Sequence, residues 1–222
     1  LDVQSVEILR GPQGTLFGKN TISGAISIRS VQPTQDLSLS GSVSGGDENL
    51  KKYTLAGNLP VGDRLAVRAA IMSNERDGPV YNTTLDRDEG STDAESSRIQ
   101  VRWDALDWLD VTLAAAQTEQ FFRLGSFQLM TTTDEQFQLM QFYDPQVERD
   151  VTDFQSSQNF PAETEQDGSK LDLRLNASLW EHEVSLIAAR SEIEEESRTD
   201  LDFSPIPLLL ILNGEDYEQD SV

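Results

Sequence analysis

Residues 6–28 read VEILRGPQGTLFGKNTISGAISI, and they determine how the rest of the chain is interpreted. β-favouring residues alternate up to residue 10, where a Gly-Pro pair stops the pattern, so a strand is predicted to end there. A second strand is predicted over residues 25–28. The loop between the two strands contains residues that restrict or free the backbone, namely Gly11, Pro12, Gly14, Gly18 and Gly24. The unit is therefore predicted to be a strand, a compact loop and a second strand.

A glycine-rich loop after a strand also occurs in nucleotide-binding proteins, but the spacing here does not fit them. The phosphate-binding loop needs four residues between its first glycine and its Gly-Lys-Ser/Thr. Only three residues separate Gly14 from Gly18, and Asn20 stands where a metal-binding hydroxyl is required. The glycines are therefore interpreted as residues that allow the backbone to turn tightly and to pack closely.

The same residues carry a family resemblance. VEILRGPQGTLFG at residues 6–18, continued by Asn20, Gly24 and AISI at residues 25–28, resembles the end of the plug domain of TonB-dependent outer-membrane receptors. In that family the plug fills a large β-barrel and gates the uptake of scarce nutrients, so the resemblance implies a transport role. It covers roughly the first 30 residues. The positions that match the plug motif are Glu7, Arg10, Gly11, Pro12, Gly14, Gly18, Asn20 and Gly24.

Arg10 is the plug residue with the most specific implied role. An arginine buried in a protein-lined lumen has to be paired. In the resembling family, plug arginines bridge to carboxylates of the barrel wall, and that role is carried over to Arg10. We expect Arg10→Ala in the full-length protein to loosen the plug and to raise leakage of large antibiotics.

Composition excludes several classes of function. The net charge of −22 disfavours a nucleic-acid partner, because two polyanions repel each other. The chain has no cysteine and a single histidine, His182, so neither a thiolate site nor a multi-histidine metal site is expected. No constellation of nucleophile, base and acid is recognised, and the chain is predicted to be neither an enzyme nor a cofactor-binding protein.

The chain is expected to be an internal piece of a longer protein, because it begins with Leu and no leader precedes the plug-like strand. The domain boundary is placed in a short polar linker that contains Pro33. Residues 1–34 are predicted to be the C-terminal part of an α+β plug, and residues 35–222 the N-terminal part of an outer-membrane β-barrel. Cut in this way, the fragment is expected to be unstable alone because its strand edges are open.

After the linker, about seven strands are predicted from the alternation of apolar and polar residues. The clearest is residues 170–179, where leucines and an alanine alternate with charged and polar residues. Long acidic segments at 73–96, at about 119–169 and from about 192 onwards are predicted to be loops. The fold class is therefore all-β, mainly antiparallel, a partial transmembrane barrel whose complete form needs about 22 strands. Short turns are assigned to the periplasm and long loops to the exterior.

All three tryptophans, Trp103, Trp108 and Trp180, lie beside predicted short turns. An aromatic girdle at the periplasmic interface places them there, because indole favours the boundary between lipid and water. The alternative is that they cap a soluble core. A second set of aromatic residues lies in the second long segment and either contacts a ligand or folds the loop on itself: Phe121, Phe122, Phe127, Phe137, Phe142 and Tyr143.

The function implied is TonB-dependent import across the outer membrane of a Gram-negative bacterium, with an iron–siderophore complex as the default cargo. Carbohydrate and cobalamin are alternative cargoes, and a β-sheet glycan-binding surface module is the alternative from another class. The implied partners are the TonB–ExbB–ExbD complex, whose contact segment is not in this sequence, and outer-membrane lipid and lipopolysaccharide. The transported ligand and the residues that contact it are not encoded in any transferable motif.

Overall fold

This computed structural model of the chain describes residues 1–17, 21–124, 132–143, 145, 147, 149, 153–200, 205–207 and 209–221. The described residues form three antiparallel or mixed sheets and two helices. None of the helices among them is long and apolar enough to cross a membrane.

The first sheet is an N-terminal hairpin of strands β1 (Val3–Arg10) and β2 (Gly24–Ser30), with the short helix α1 (Gly14–Phe17) in its loop. The strands are antiparallel, with Ile8 opposite Ile26. Gly24 has φ +144°, and a Cβ there would lie 2.4 Å from the carbonyl oxygen of Leu9. The close approach of the two strands therefore requires glycine at this motif position.

The second sheet has eight strands in the order β13-β12-β11-β9-β8-β5-β4-β3, and we call it the wall. Its strands are β3 (Ser38–Gly45), β4 (Lys51–Val61), β5 (Leu65–Arg76), β8 (Thr92–Leu106), β9 (Leu109–Arg123), β11 (Glu163–Leu179), β12 (His182–Asp200) and β13 (Leu210–Ser221). All neighbours pair antiparallel, as predicted for an up-and-down barrel wall.

The wall has two chemically different faces. On the outer face Leu55 lies opposite Ile71 and Leu113 lies opposite Leu173, and all four side chains are exposed. The inner face carries polar, charged and small residues, and its most buried side chains are Ala56, Asn58, Ala66, Arg68, Ala70, Gln100 and Thr112. An exposed apolar face backed by a polar, partly covered face is the arrangement of a membrane barrel rather than of a soluble sheet.

The acidic segments contain more strand than the sequence suggested, and this corrects the predicted loops. β12 alone has 19 residues, which at 3.3 Å per residue is about 60 Å, whereas an apolar band is only about 25 Å tall. The antiparallel ladder therefore continues past the apolar part of the outer face. Carboxylates such as Glu192, Glu194 and Glu196 occupy its alternate positions there, where water or headgroups solvate them.

An eighth wall strand, β13, lies within the third acidic segment that was predicted to be a loop. It pairs with β12 over twelve positions, from Ala189 opposite Ser221 to Asp200 opposite Leu210. Acidic residues are depleted in strands, so the composition of this segment predicted a loop and not β13. The pairing supplied by β12 outweighs that weak preference.

The third sheet joins two long connections. Its strands are β6 (Val80–Asn82), β7 (Arg87–Glu89) and β10 (Gln155–Ser156), in the order β10-β6-β7. Helix α2 (Asp134–Tyr143) precedes β10. The connections of 77–91 and 124–162 lie at one end of the wall, and two-residue turns at 107–108 and 180–181 lie at the other, which we call the short-turn end.

Candidate functional site: contact of the N-terminal hairpin with the wall

A buried ion pair joins the start of the hairpin to the inner face of the wall. Arg68 of β5 donates from Nε to Oδ2 of Asp2 at 2.6 Å and from Nη2 to Oδ1 at 2.7 Å. The side chains are 10% and 8% exposed, respectively. Two parallel charge-assisted hydrogen bonds fix orientation as well as distance. Removal of either partner leaves a buried charge unpaired, which costs about 3–5 kcal/mol.

The backbone at Asp2 is also constrained. Its φ is +50°, a left-handed conformation that aspartate tolerates better than most residues. The wall arginine therefore binds a carboxylate on a residue whose backbone has a left-handed conformation.

Two further wall residues hold the end of the hairpin. Arg98 of β8 donates from Nη1 to the carbonyl of Leu1 at 3.0 Å and to Oγ of Ser30 at 2.6 Å. Gln100, the next inward-facing residue of β8, donates to the carbonyl of Val31 at 2.9 Å. Alternate residues of a strand share a face, so this strand contributes two consecutive inward side chains to the contact.

Asn58 of β4 holds the linker that leads into β3. Its Oδ1 accepts from the backbone N–H of Thr34 at 3.1 Å, and its Nδ2 donates to the carbonyls of Thr34 at 2.8 Å and Asp36 at 2.6 Å. The residue is only 2% exposed. Loss of this side chain removes three hydrogen bonds to the linker, each worth about 0.5–1.5 kcal/mol.

The two ends of the hairpin are tied to each other as well as to the wall. The backbone N–H of Val31 donates to the carbonyl of Asp2 at 3.0 Å. The apolar side chains in the body of the hairpin are open to solvent, and Ile8, Ile26 and Ile28 are 64–68% exposed. The arrangement anchors the base of the hairpin and leaves its apolar body for other surfaces to cover.

The structure places the predicted motif residues on the hairpin and its loop. The N–H of Gly11, which has φ +82°, donates to the carbonyl of Ser23 at 3.3 Å and so closes the loop. Glu7 forms an exposed ion pair with Arg29 at 3.7 Å, a contact that contributes little. Pro12 and Gly14 lie in the loop and at the start of α1. Gly18 and Asn20 lie outside the described residues.

The charges in the observed ion pair are reversed relative to the one implied for Arg10. The wall supplies the arginine, Arg68, and the N-terminal segment supplies the carboxylate. Arg10 itself is exposed and forms no ion pair with any residue that the structure describes. Its predicted bridge to a wall carboxylate stays a prediction.

Sequence reasoning missed the wall residues of this contact, although one signal was present. Arg68 is a single charge between Ala66 and Ala70 on one face of its strand. A lone charge flanked by small residues is what a closely approaching charged partner requires. Asp2 offered no comparable signal.

The three tryptophans all lie at the short-turn end of the wall. Trp103 is on the outer face of β8, opposite Leu65 and Val111. Trp108 and Trp180 lie in the two-residue turns. Trp180 is 96% exposed and has φ +56°, which is unusual for a bulky residue. Their proposed membrane-interface role stays a prediction.

The aromatic residues of the second long segment do not form one cluster in the described part of the chain. Phe137 packs under the guanidinium of Arg149 at 4.6 Å, and Phe142 meets Tyr143 edge-on at 5.3 Å. These are local contacts within and beside α2, as expected if the segment folds on itself. Phe127 lies outside the described residues.

No group of three or more His, Cys, Asp or Glu that is arranged to hold a metal ion occurs in the described ranges. Among the described residues, the contact between hairpin and wall consists of one ion pair and several hydrogen bonds. Chemically, such a site holds and positions a segment of chain.

Comparison with known proteins agrees with this architecture. No protein-family model matches the chain. The chain is 38% identical over 105 residues to the pesticin receptor of Yersinia pestis, covering 46% of this chain and 15% of that protein. It is 34% identical over 74 residues to the catecholate siderophore receptor Fiu of Escherichia coli, covering 33% of this chain and 10% of that protein.

A third relative carries the family in its name. The chain is 29% identical over 75 residues to the probable TonB-dependent siderophore receptor PiuA of Acinetobacter baumannii, covering 34% of this chain and 10% of that protein.

The fold is similar to that of solved receptors over nearly the whole chain. The ferric yersiniabactin uptake receptor FyuA of Yersinia pestis superimposes with a TM-score of 0.78 at 20% identity, covering 99% of this chain and 32% of that one. The chain thus spans about a third of the receptor structure that it matches. Together, the partial sequence matches and the fold show that the chain is similar to a segment of siderophore receptors, one of which is named as TonB-dependent.

Proposed function

We propose that the receptor containing this segment imports an iron–siderophore complex across the outer membrane, driven by the TonB–ExbB–ExbD complex. The observation that carries the proposal is the anchored hairpin on the polar inner face of a wall whose outer face is apolar. A segment held inside a lumen blocks free passage, so import requires that its contacts differ between two states. Relatives named as siderophore receptors support the choice of cargo.

In this proposal residues 1–34 are the end of the plug, and residues 35–222 contribute eight of about 22 barrel strands. The short-turn end faces the periplasm and the long connections face the exterior, as in other outer-membrane barrels. The tryptophans then lie at the periplasmic lipid boundary. The acidic part of the outer face lies at the level of the lipopolysaccharide headgroups.

Cargo identity is tested by uptake of radio-iron presented as different ferric complexes to iron-starved cells that carry or lack the full-length gene. Complexes with yersiniabactin, a catecholate and pyoverdine form the panel, because receptors for these compounds share the fold. Gene-dependent uptake of one complex, competed by the same unlabelled complex, identifies the cargo. Gene-independent uptake of all of them contradicts an iron cargo and redirects the test to carbohydrates and cobalamin.

A further inference from the structure

Two long connections at the end of the wall opposite the short turns are joined through the β10-β6-β7 sheet. The backbone N–H of Tyr81 donates to the carbonyl of Phe154, and that of Thr83 donates to the carbonyl of Ser156, each at 2.8 Å. One strand of this sheet comes from the connection between β5 and β8, and its parallel neighbour comes from the connection between β9 and β11. The two connections therefore share backbone pairing in addition to side-chain contacts.

Asn82 lies at the centre of this junction and is 0% exposed. Its Nδ2 donates to the carbonyl of Gln158 at 3.0 Å, across the junction. Its Oδ1 accepts from the N–H groups of Thr84 and Leu85, both at 3.0 Å, within its own turn. One buried amide therefore stabilises the turn of the first connection and binds the second.

A charge network with a buried carboxylate at its centre lies beside Asn82. Glu89 is 1% exposed and accepts from Nε of Arg87 at 2.9 Å. Arg87 also donates from Nη1 to Oε1 of Glu163 at 2.8 Å, and Glu163 is the first residue of β11. Burial opposes the charge of Arg87, but its hydrogen bonds to both carboxylates offset this and raise its pKa.

The network reaches a third part of the wall. Gln158 donates from Nε2 to the carbonyl of Asp200 at 3.2 Å, and the N–H of Phe160 donates to Oδ2 of Asp200 at 3.2 Å. Asp200 is 0% exposed and is the last residue of β12. Two connections and a strand end thus meet in one buried cluster.

The interior of this cluster is mainly polar, which affects how it opens. Asn82, Glu89, Gln158 and Asp200 are buried, and among the apolar residues that the structure describes here only Ala162 is equally buried. Apolar contacts lose their energy gradually as surfaces slide. A buried polar network, in contrast, is satisfied in one arrangement, and partial opening leaves buried donors and charges unpaired.

We propose that residues 78–91, residues 153–162 and the end of β12 form one cooperative unit, the loop junction, which opens only as a whole. In the receptor, where these segments face the exterior under the proposed function, the junction is a fixed side of the cargo entrance. Closure of the entrance then has to come from other segments. The two connections do not act as independent lids.

Hydrogen exchange of the full-length receptor in detergent tests the unit without any cargo. Asn82→Ala removes the amide that spans both connections, and Asp88→Asn is the matched control, because Asp88 is exposed and lies in the same strand as Glu89. We expect Asn82→Ala to speed exchange about tenfold, as for an unsatisfied buried group, in peptides from both 78–91 and 153–162. Peptides from α2 and the control variant are expected to exchange at the wild-type rate.

Faster exchange that is confined to residues 78–91 contradicts a shared unit, and so does equal exchange in Asn82→Ala and wild type. Glu89→Gln provides a second variant with the same side-chain volume. It is expected to speed hydrogen exchange in both connections and in residues near the start of β11. Faster exchange in β7 alone would also contradict the proposal.

Cross-linking in cells tests the fixed role of the junction. The hydroxyl of Thr84 donates to the backbone carbonyl of Ser157 at 2.8 Å, so the two residues are neighbours, and cysteines at both positions can be linked by a short, reducible reagent that reacts with two thiols. Uptake by the linked receptor is expected to equal that of either single-cysteine variant after the same treatment. Loss of uptake that reductant restores shows that the connections must separate and overturns the proposal. Absence of uptake in the unlinked receptor, with coupled hydrogen exchange intact, contradicts only the proposed transport function.

Discussion

Arg68 and Asp2 form a bidentate ion pair across the boundary between the N-terminal hairpin and the wall, with both side chains about nine-tenths buried. The two residues are 66 positions apart in the sequence. This pair, with Arg98, Gln100 and Asn58 beside it, fixes where the hairpin meets the wall. It is the contact through which the wall limits movement of the segment that we propose as the end of the plug.

Replacement of Arg68 by methionine in the full-length receptor is expected to loosen the hairpin, because Asp2 then stays buried without a partner. The expected cost is about 3–5 kcal/mol, and entry of a large antibiotic into cells is expected to rise. Arg64→Met is the matched control, since its ion pair with Asp107 is exposed on both sides and such pairs contribute about 0–1 kcal/mol.

The double variant with Arg68→Met and Asp2→Asn distinguishes the interaction between the two residues from the effect of each residue alone. Without the buried charges, we expect antibiotic entry closer to wild type than in Arg68→Met alone. Additive effects of the two substitutions would show that the residues act independently.

Asn58→Ala is expected to free the linker between the hairpin and β3. The backbone groups of Thr34 and Asp36 lose three hydrogen bonds to the side chain, each worth about 0.5–1.5 kcal/mol. Faster protease cleavage and faster hydrogen exchange over residues 31–37 report the change. Ser42→Ala is the control, because Ser42 is exposed and its hydroxyl hydrogen-bonds with Thr54 of the neighbouring strand, not with the linker. Equal cleavage in the two variants would remove Asn58 from this role.

The outer face carries a row of carboxylates in direct cross-strand register. Glu95 lies opposite Glu119, Glu119 opposite Asp167, Asp167 opposite Glu194, and Glu194 opposite Asp216. Like charges at opposed positions destabilise a sheet. We therefore expect Asp167→Asn, in the middle of the row, to stabilise the receptor by about 0.2–1 kcal/mol at low salt.

Thermal unfolding in detergent at two salt concentrations measures this effect. High salt screens the repulsion, so the gain is expected to shrink. Asp172→Asn is the control, since Asp172 faces inward and pairs with Lys170 at 2.9 Å. An equal gain in stability from Asp172→Asn and Asp167→Asn would contradict repulsion along the row. A gain that does not depend on salt concentration would also contradict it.

Trp180 tests the proposed aromatic girdle, because it is the most exposed of the three tryptophans. In the reconstituted receptor we expect lipids brominated close to the headgroup to quench its fluorescence more strongly than lipids brominated at the chain ends. The difference between wild type and Trp180→Phe isolates its signal. Quenching that is absent or strongest at the bilayer centre would contradict an interfacial position.

The strands with strict alternation were predictable from the sequence, as residues 170–179 show. There the apolar side chains lie on the outer face of the wall and the polar ones on its inner face, so the period of two is unbroken. The predictions failed where the outer face is no longer apolar. Glu192, Glu194 and Glu196 continue the same strand with the same period, but their charge made the segment resemble a loop.

Contacts at long sequence separation were not predictable at all. Asp2 and Arg68 have no local pattern that identifies them as partners, and the burial of Glu89 within an acidic stretch runs against the usual solvation of carboxylates. Each depends on where the fold brings a second segment. By contrast, Gly24 was recognisable through the motif, because only glycine permits the strands to approach so closely there.

The most direct test of the account is radio-iron uptake by cells with the full-length gene or its deletion, each with and without a working TonB–ExbB–ExbD complex. The account predicts uptake of a ferric siderophore only when both the gene and the energising complex are present. Uptake that persists without the complex would contradict energy-coupled import. Equal uptake in cells with and without the gene would contradict an iron cargo for this receptor.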